Sequence, residues 1–232
     1  MLQFVPMQEY VIIVAGGSGS RMKSDIPKQF LPVNGLPVLM HTIRAFAEYS
    51  PNLRIIVVLP AEQFGFWEEL CQKHSFAIAH QLVAGGKTRF HSVKNGLNCI
   101  VEQAEFLVAV HDGVRPVISR EIIAESFTTA ASHGAAVVSV PLKDSIRIIG
   151  QNEGNKAMDR TLFRLIQTPQ TFRSGWMKAA FAAEYHESFT DCASVLEAWG
   201  YHIQLIDGAY ENIKITTPED LRWAEIYLKA TS

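Results

Sequence analysis

The 232-residue sequence predicts an α/β fold in which helices cover both faces of a mostly parallel sheet and a β-hairpin arm projects from it. Short unbroken apolar runs rich in β-branched residues indicate strands that are buried on both faces. These runs alternate with stretches that are amphipathic at helical spacing, which predicts right-handed crossovers. One stretch, at about residues 141–166, alternates polar and apolar residues instead, which is typical of a hairpin. We expect residues 1–232 to form a single domain.

The first predicted strand, Tyr10–Ala15, leads directly into the glycine-rich segment Gly16-Gly17-Ser18-Gly19. Glycines accept positive φ and let a ligand approach the main chain, and successive exposed N–H groups form an anion-binding nest. Cations follow at once in the sequence, namely Arg21, Lys23 and Lys28. We therefore predict a polyphosphate site at the end of this strand.

Other interpretations of the glycine loop are weaker. A tight turn flanked by solvated surface charges remains open from this loop alone. A dinucleotide fingerprint needs a third glycine where this chain has Met22, and a Walker loop needs a closing G-K-[ST] that is absent.

The remaining elements follow from the same patterns. Pro37 and Ser119 mark helix starts, Gly134 and Gly200 mark helix ends, and Thr190 or Asp191 caps a later helix. In chain order we predict a helix from Pro37 to Ser50, strand Arg54–Leu59, helix Ala61–Lys73, strand Phe76–Val83, a helix from about Lys87, strand Phe106–Val110, a helix ending at Gly134, strand Ala135–Val140, the arm, Gln167–Phe172 returning to the sheet, helix Ser174–Glu187, a helix ending at Gly200, strands His202–Ile206 and Tyr210–Ile215, and a helix starting at Thr217-Pro218.

A second candidate site follows the strand Phe106–Val110. Ligands of open α/β sheets bind beyond the carboxyl ends of strands, so Asp112 and Arg115 are expected to reach the same crevice as the glycine loop. Asp112 suits a divalent metal or substrate hydroxyl groups. The alternative is that Asp112 and Arg115 only pair with each other. We interpret the neighbouring His111 as structural.

Composition narrows the class of protein. An apolar content of 48% and a charged content of 19% are those of an ordinary globular protein. The net charge of −2 gives no sign of a nucleic-acid-binding surface. No apolar run approaches the roughly 20 residues that cross a bilayer, and the start lacks the features of a signal peptide. Three scattered cysteines match neither a zinc site nor a disulfide framework, so we expect a cytoplasmic protein.

Five separated segments resemble one family in order and spacing. They are A-G-G-S-G-S-R-M with P-K-Q-F, G-G-K-T-R-F-H-S-V, H-D-G-V-R-P, M-D-R followed by T-P-Q-T-F, and T-D-C-A-S with N-I-K-I-T-T-P-E-D-L. The first resembles the sugar-nucleotide pyrophosphorylase-like nucleotidyltransferases, which have a Rossmann-like fold. Together, over about residues 9–229, they resemble the 2-C-methyl-D-erythritol 4-phosphate cytidylyltransferases of isoprenoid synthesis.

The resemblance implies that methylerythritol phosphate attacks the α-phosphorus of CTP, that pyrophosphate leaves, and that Mg²⁺ accompanies the triphosphate. It implies catalytic roles for Arg21 and Lys28 on the α-phosphate and for Lys214 on the attacking phosphate. Arg160, on the arm, is expected to reach the site of the partner subunit in a homodimer. The implied substrate-binding residues are Ala15, Gly16, Gly17, Gly19, Gly85, Ser92, Asp112, Arg115, Ser145, Thr168 and Thr190, with Asp112 also a candidate metal ligand.

Three departures from the family pattern and two rival functions remain. Ser145 replaces a commoner Thr, Gly113-Val114 replaces a commoner pair of small residues, and Cys192 replaces an acid. The last departure puts in doubt a role of that acid in orienting the substrate. The closest rival is a ribitol-5-phosphate cytidylyltransferase, which shares the first loop, H-D-x-x-R-P and the arm. The other rival is a nucleotide-binding protein without catalysis, and the presence of all the candidate catalytic cations argues against it.

Overall fold

The computed structural model describes residues 7–17, 22, 26–150 and 154–230. Its central sheet has seven strands in the order β11-β7-β10-β6-β1-β4-β5. The strands are β1 (Glu9–Val14), β4 (Arg54–Leu59), β5 (Gln81–Ala84), β6 (Leu107–Asp112), β7 (Ala135–Pro141), β10 (Arg164–Arg173) and β11 (Leu205–Asp207). Only β10 runs antiparallel to its neighbours, β6 and β7. The predicted α/β class with a mostly parallel sheet is confirmed.

Seven α-helices accompany the sheet in the described residues. They are α1 (Val38–Tyr49), α2 (Phe64–Lys73), α3 (Arg89–Asn98), α4 (Arg120–His133), α5 (Ser174–Phe181), α6 (Cys192–Ala198) and α7 (Pro218–Ala230). Short 3-10 turns lie at Lys28–Phe30, Ala61–Gln63 and Arg160–Leu162, and a small hairpin joins β2 (Pro32–Val33) to β3 (Leu36–Pro37). None of the helices in this part of the chain combines the length and apolar character needed to cross a lipid bilayer.

Alternate residues of the central strands enter two separate cores, one on each face of the sheet. In β1, Val11 and Ile13 pack with Phe46 and Trp67 of α1 and α2. Ile12, between them, packs on the other face with residues of α3, α5 and α6. Side chains of a strand alternate between faces, so a run that is apolar at every position indicates a sheet covered on both sides.

The arm, at about residues 141–166, contains an antiparallel pair, β8 (Ile146–Ile149) with β9 (Asn155–Met158), and the turn Arg160–Leu162. The register of the pair places Ile146 opposite Met158. The hairpin predicted for this stretch is therefore present, although its tip, residues 151–153, lies outside the described residues. Several large apolar side chains of the arm and of its return to the sheet are exposed: Ile148, Ile149, Leu162, Phe163, Leu165 and Ile166.

Several predicted elements differ in the structure. The strand predicted at His202–Ile206 lies at Leu205–Asp207. The strand predicted at Tyr210–Ile215 is a turn followed by irregular chain, because Asn212 and Ile213 donate backbone hydrogen bonds to Ala209 and Glu211. The strand predicted at Phe76–Val83 is confined to Gln81–Ala84. The helix predicted over Ser174–Glu187 ends at Phe181. Of the two candidate caps of α6, Asp191 serves, and it forms a capping box with Ser194.

Candidate active site

The carboxyl ends of four parallel strands meet at one edge of the sheet. In the registers, Val14 of β1 pairs with both Val58 of β4 and Asp112 of β6, and Leu59 of β4 pairs with Ala84 of β5. The loops that leave these strands surround a cavity of about 570 Å³. It is lined by Val14, Ala15, Gly16, Gly17, Lys28, Gln29, Pro60, Ala61, Glu62, Gly85, Gly86, Lys87, Thr88, Arg89, Ser92, Asp112, Val114 and Lys214.

The first glycine loop forms one wall of this cavity. Ala15 is buried and donates its N–H to Val58 O at 2.9 Å, which holds the loop against β4. Gly16 and Gly17 are exposed. The side chain of Lys28 passes close to Gly17, since a Cβ there would lie 3.4 Å from Lys28 Cε. Lys28 Nζ donates to Ile215 O at 3.2 Å, so the ammonium group is anchored beside the loop.

Gly19 and Arg21, which were predicted to bind substrate and to act in catalysis, lie outside the described residues. Their roles therefore stay predictions.

A second glycine pair forms the opposite wall at the start of α3. Gly85 N–H donates to Leu59 O at 2.8 Å, and Gly86 N–H donates to Ser92 Oγ at 3.1 Å. The Ser92 hydroxyl in turn donates to Thr88 O, and Thr88 caps α3. A Cβ at Gly86 would lie 2.4 Å from His91 Cβ, so only glycine fits that position. Ser92 thus shapes the loop, in addition to facing the cavity.

A cluster of cations around the Asp112 carboxylate forms the floor. Lys214 Nζ lies 2.9 Å from Asp112 Oδ2, Arg115 Nε lies 3.4 Å from the same oxygen, and Arg89 Nε lies 3.6 Å from Oδ1. Burial raises the pKa of Asp112, but the charges of Arg89, Lys214 and Arg115 outweigh it and hold the pKa below its ordinary value. Asp112 is therefore an anion that gathers three cations.

Beneath this floor, polar side chains fix the turn that carries Asp112 and Arg115. Arg115 N–H donates to Asp112 O at 3.0 Å, and Arg115 Nη1 donates to Asn212 O at 2.7 Å. Thr168 Oγ1 accepts a bond from Asp112 N–H at 3.1 Å. Thr168 is buried, and neither Thr168 nor Arg115 lines the cavity, although Asp112, which both contact, does. The proposed direct contact of these two residues with substrate gains no support here.

The structure places some of the predicted site residues in the cavity wall and others away from it. Ala15, Gly16, Gly17, Lys28, Gly85, Ser92, Asp112 and Lys214 all line the cavity. Arg160 and Ser145, at the base of the arm, and Thr190, before α6, are exposed and do not line it in this single chain. Arg160 instead donates to Lys143 O.

No group of three His, Cys, Asp or Glu side chains with the arrangement of a metal site occurs among the described residues. The carboxylate proposed as a metal ligand, Asp112, is already in contact with three cations. The described residues therefore offer no preformed cage for Mg²⁺, which ordinarily takes carboxylate and phosphate oxygens.

Two cations that line the cavity, Lys87 and Arg89, were not predicted as site residues from the sequence. Both follow the Gly85-Gly86 pair directly after β5, the same pattern that singled out the first loop, so the signal was present. Arg89 contacts Asp112 and donates from Nη1 to Cys192 Sγ at 3.2 Å. Burial raises the pKa of Cys192, so its thiol is neutral and leaves the charge of Arg89 intact.

Among the described residues, the cavity is lined by four cations, Lys28, Lys87, Arg89 and Lys214, and by the carboxylates of Glu62 and Asp112. These six side chains have a formal charge of +2, whereas the whole chain has −2. Two glycine loops with accessible backbone, together with this local positive charge, suit a nucleotide polyphosphate. The fold and the site define an α/β enzyme of the nucleotidyltransferase type.

Comparisons with known proteins agree on one family. The family model of 2-C-methyl-D-erythritol 4-phosphate cytidylyltransferase matches residues 10–230. Proteins of that name from Bacteroides thetaiotaomicron and Porphyromonas gingivalis are 50% and 48% identical to the chain. The match to the Bacteroides protein covers 93% of this chain and 97% of that protein. The match to the Porphyromonas protein covers 95% of this chain and 98% of that protein. The chain belongs to the 2-C-methyl-D-erythritol 4-phosphate cytidylyltransferase family.

Solved structures lead to the same family. The 4-diphosphocytidyl-2C-methyl-D-erythritol synthase of Anaerococcus prevotii superposes with a TM-score of 0.81 at 28% identity, covering 96% of this chain and 99% of the other. The 2-C-methyl-D-erythritol 4-phosphate cytidylyltransferase of Francisella tularensis gives a TM-score of 0.78 at 32% identity, covering 95% and 99%.

Proposed function

We propose that this enzyme transfers the cytidylyl group of CTP to 2-C-methyl-D-erythritol 4-phosphate and releases pyrophosphate. The observation that carries the proposal is the cation cluster around Asp112, which faces two glycine loops across one cavity in a chain of this family. Two anionic substrates repel each other, so an enzyme that joins them must align them and offset their charge.

The nucleoside part of CTP is assigned to the glycine loops. Main-chain groups near Ala15, Gly16 and Gly85 can pair with the donor and acceptor edge of cytosine without a charged side chain. The Ser92 hydroxyl accepts from Gly86 N–H and donates to Thr88 O, so it holds the second loop in the shape that the base would meet.

The triphosphate is assigned to the cations beside these loops. Lys28 is anchored through Ile215 O, so its charge is preorganised to stabilise negative charge that develops at the α-phosphorus. Arg21 shares this role by its place in the family motif. Arg89, at the N-terminus of α3, adds a guanidinium group that suits phosphate oxygens.

The polyol phosphate is assigned to the Lys214 side of the cavity. Lys214 holds the phosphate group of the polyol phosphate while an oxygen of that group attacks the α-phosphorus of CTP. The bond between the α-phosphorus and the oxygen that bridges it to the β-phosphorus breaks, and pyrophosphate leaves. A phosphate monoester is already an anion near neutral pH, so the attack needs no general base. Asp112 keeps Lys214 and Arg115 in place through their ion pairs.

Mg²⁺ enters this scheme as part of the substrate, bound to the triphosphate oxygens, where it neutralises phosphate charge. The involvement of Asp112 with three cations supports a metal that arrives with CTP over one held by the protein.

We also propose that the arm joins two copies of the chain and brings Arg160 to the neighbouring site. The exposed apolar side chains of the arm support this assembly, since isolated surface strands seldom leave such groups uncovered.

Three free cysteines are consistent with a reducing cytoplasm.

Pyrophosphate release from purified protein, supplied with CTP, Mg²⁺ and one polyol phosphate at a time, tests the function. We expect turnover with methylerythritol phosphate. Turnover of ribitol 5-phosphate alone would establish the rival substrate, and CTP binding without pyrophosphate release in either reaction would establish a nucleotide-binding protein without catalysis.

A further inference from the structure

A completely buried histidine lies directly beneath the cation cluster and is not part of the chemistry described so far. His111 precedes Asp112 on β6 and has no exposed surface. Its ring packs edge-on against Phe46 of α1, with the ring centroids 4.9 Å apart. A buried imidazole surrounded by apolar side chains needs a hydrogen-bond partner for each nitrogen.

Both ring nitrogens have such a partner, and the partners determine where the proton lies. Nε2 lies 3.0 Å from Arg115 O, and a carbonyl oxygen only accepts, so Nε2 carries the hydrogen. Burial lowers the pKa of His111 to about 4, so the ring is neutral and Nδ1 is an acceptor. Thr168 Oγ1, 3.1 Å from Nδ1, is its donor.

The Thr168 hydroxyl continues this chain of bonds to the functional residues. Its oxygen accepts from Asp112 N–H at 3.1 Å while its hydrogen goes to His111. The bonds therefore run in one direction, from Asp112 N–H to Thr168, from Thr168 to His111, and from His111 to Arg115 O. They close around the turn that Arg115 N–H makes with Asp112 O at 3.0 Å.

We infer that His111, acting with Thr168, is a positioning residue that fixes the Asp112–Arg115 turn and thereby the cations that Asp112 holds. The inference rests on the proposed function for its substrate assignment. Asp112 Oδ2 contacts Lys214, which is assigned to the polyol phosphate, and Arg115, which lies beneath the floor. A displaced turn therefore moves Lys214. The two glycine loops depend instead on bonds to β4 and within α3. Arg89, which Asp112 also contacts, has a second contact with Cys192 Sγ.

The test compares substitutions that remove these bonds without adding charge. His111→Phe keeps an aromatic ring beside Phe46 but has no polar atom, and Thr168→Val removes only the hydroxyl. We expect each to lower kcat/KM for the polyol phosphate by about tenfold or more, the cost of a broken buried network. The KM for CTP should change much less. Thr168→Ser, which retains the hydroxyl, should restore a value close to that of the wild type.

His80 supplies a matched control away from the cavity. Its ring also bridges two groups, accepting from Trp67 Nε1 at 2.9 Å and contacting Ile78 O at 2.7 Å through Nδ1. His80→Phe should lower thermal stability and leave kcat/KM for both substrates unchanged. If His111→Phe and Thr168→Val do the same, the pair is only structural and the inference is wrong. Thr168→Val decides the question if His111→Phe does not fold.

Wild-type turnover, measured first, separates the two proposals. If the wild type turns over neither polyol phosphate, the proposed function fails. The dissociation constant of pyrophosphate, measured by calorimetry, then tests the positioning role, because Lys214 and Arg89, which Asp112 holds, line the cavity. We expect His111→Phe and Thr168→Val to weaken pyrophosphate binding and His80→Phe to leave it unchanged. Equal binding in all three variants would overturn the inference.

Discussion

At the scale of single residues, the site depends on one carboxylate that holds several cations in place. Asp112 is nearly buried, and its oxygens contact Arg89, Arg115 and Lys214. Cations placed this closely repel one another, and the shared anion offsets that repulsion until phosphate groups arrive. A site built in this way binds anions with little rearrangement, which is the condition for electrostatic stabilisation of a transition state.

Lys28 and Lys87 both line the cavity, and within the part of the chain that the structure describes only Lys28 has a hydrogen-bonded anchor, Ile215 O. We expect Lys28→Ala to lower kcat by about 10²–10³, as removal of a preorganised charge-stabilising donor does, with a smaller change in CTP affinity. Lys87→Ala is the control and should reduce kcat much less. Steady-state kinetics with both substrates measure the difference. A wild-type rate for Lys28→Ala would make Lys28 an ordinary surface cation.

The lowered pKa of His111 makes the free energy of unfolding depend on pH. Its pKa of about 4 in the folded protein is below the ordinary value of about 6.5, so between these values only the unfolded chain binds the proton. The stability contributed by the neutral ring is complete above pH 6.5 and is lost as the pH falls toward 4. At pH 5 the loss is about 2 kcal/mol. Below pH 4, protonation of Asp112 continues the decline, because its pKa is also lowered.

Urea unfolding at pH 7.5 and pH 5 measures this loss. His111→Phe removes the titrating group, so its stability should fall less between the two pH values than that of the wild type. His41, whose pKa burial also lowers, remains in the variant and leaves a residual decline. An identical decline in both proteins would show that His111 does not titrate as its surroundings indicate.

At the scale of elements, sequence patterns predicted best where one physical requirement dominates. The apolar runs of β1, β4 and β6 and the cap and terminator of α4 were predicted because burial and capping act locally. The strand predicted at Tyr210–Ile215 failed because its alternation has another cause. Asn212 is buried through bonds from its side chain to Gln167 and Thr168, which sequence periodicity does not reveal.

The site was predicted to a similar degree and for similar reasons. The glycine loops and the residues after β6 follow from strand ends and charge, and eight predicted residues line one cavity. The roles of Thr168 and Arg115 beneath the floor, and the contact of Arg89 with Cys192, depend on side chains distant in sequence. Such contacts follow from tertiary packing, which no local pattern specifies.

Two glycines with positive φ offer a controlled test of helix termination. Gly134 (φ +89°) ends α4, and a Cβ there would lie 2.2 Å from Trp176 Cη2. Gly200 (φ +79°) follows α6 and has nothing within 4 Å of such a Cβ. Gly200→Ala should cost about 1–2 kcal/mol, the strain of the left-handed conformation. Gly134→Ala should cost clearly more, because Trp176 must also move. Thermal or urea unfolding compares them, and equal costs would contradict the packing argument.

At the scale of the whole molecule, the buried cores and the exposed apolar groups are separated. The two cores enclose the sheet and hold the strand ends that form the cavity. The arm instead leaves large apolar groups in solvent, with Leu162 76% and Ile149 74% exposed. That contrast supports the proposed assembly, in which a second chain would cover the apolar groups of the arm.

A charged substitution on the arm tests this assembly. Leu162→Glu places a carboxylate in the apolar surface and should shift the protein from dimer to monomer, because burying an unpaired charge at an interface is costly. Val101→Glu is the matched control, since Val101 is 90% exposed and lies outside the arm. Sedimentation velocity measures the change, and wild type and Val101→Glu should both sediment as dimers. A monomeric wild type would rule out the arm as a dimer contact.

If sites are shared, Arg160→Ala should raise the apparent KM for the polyol phosphate. Mixing Arg160→Ala and Lys214→Ala chains should then recover some activity, because one site of the mixed dimer has both cations.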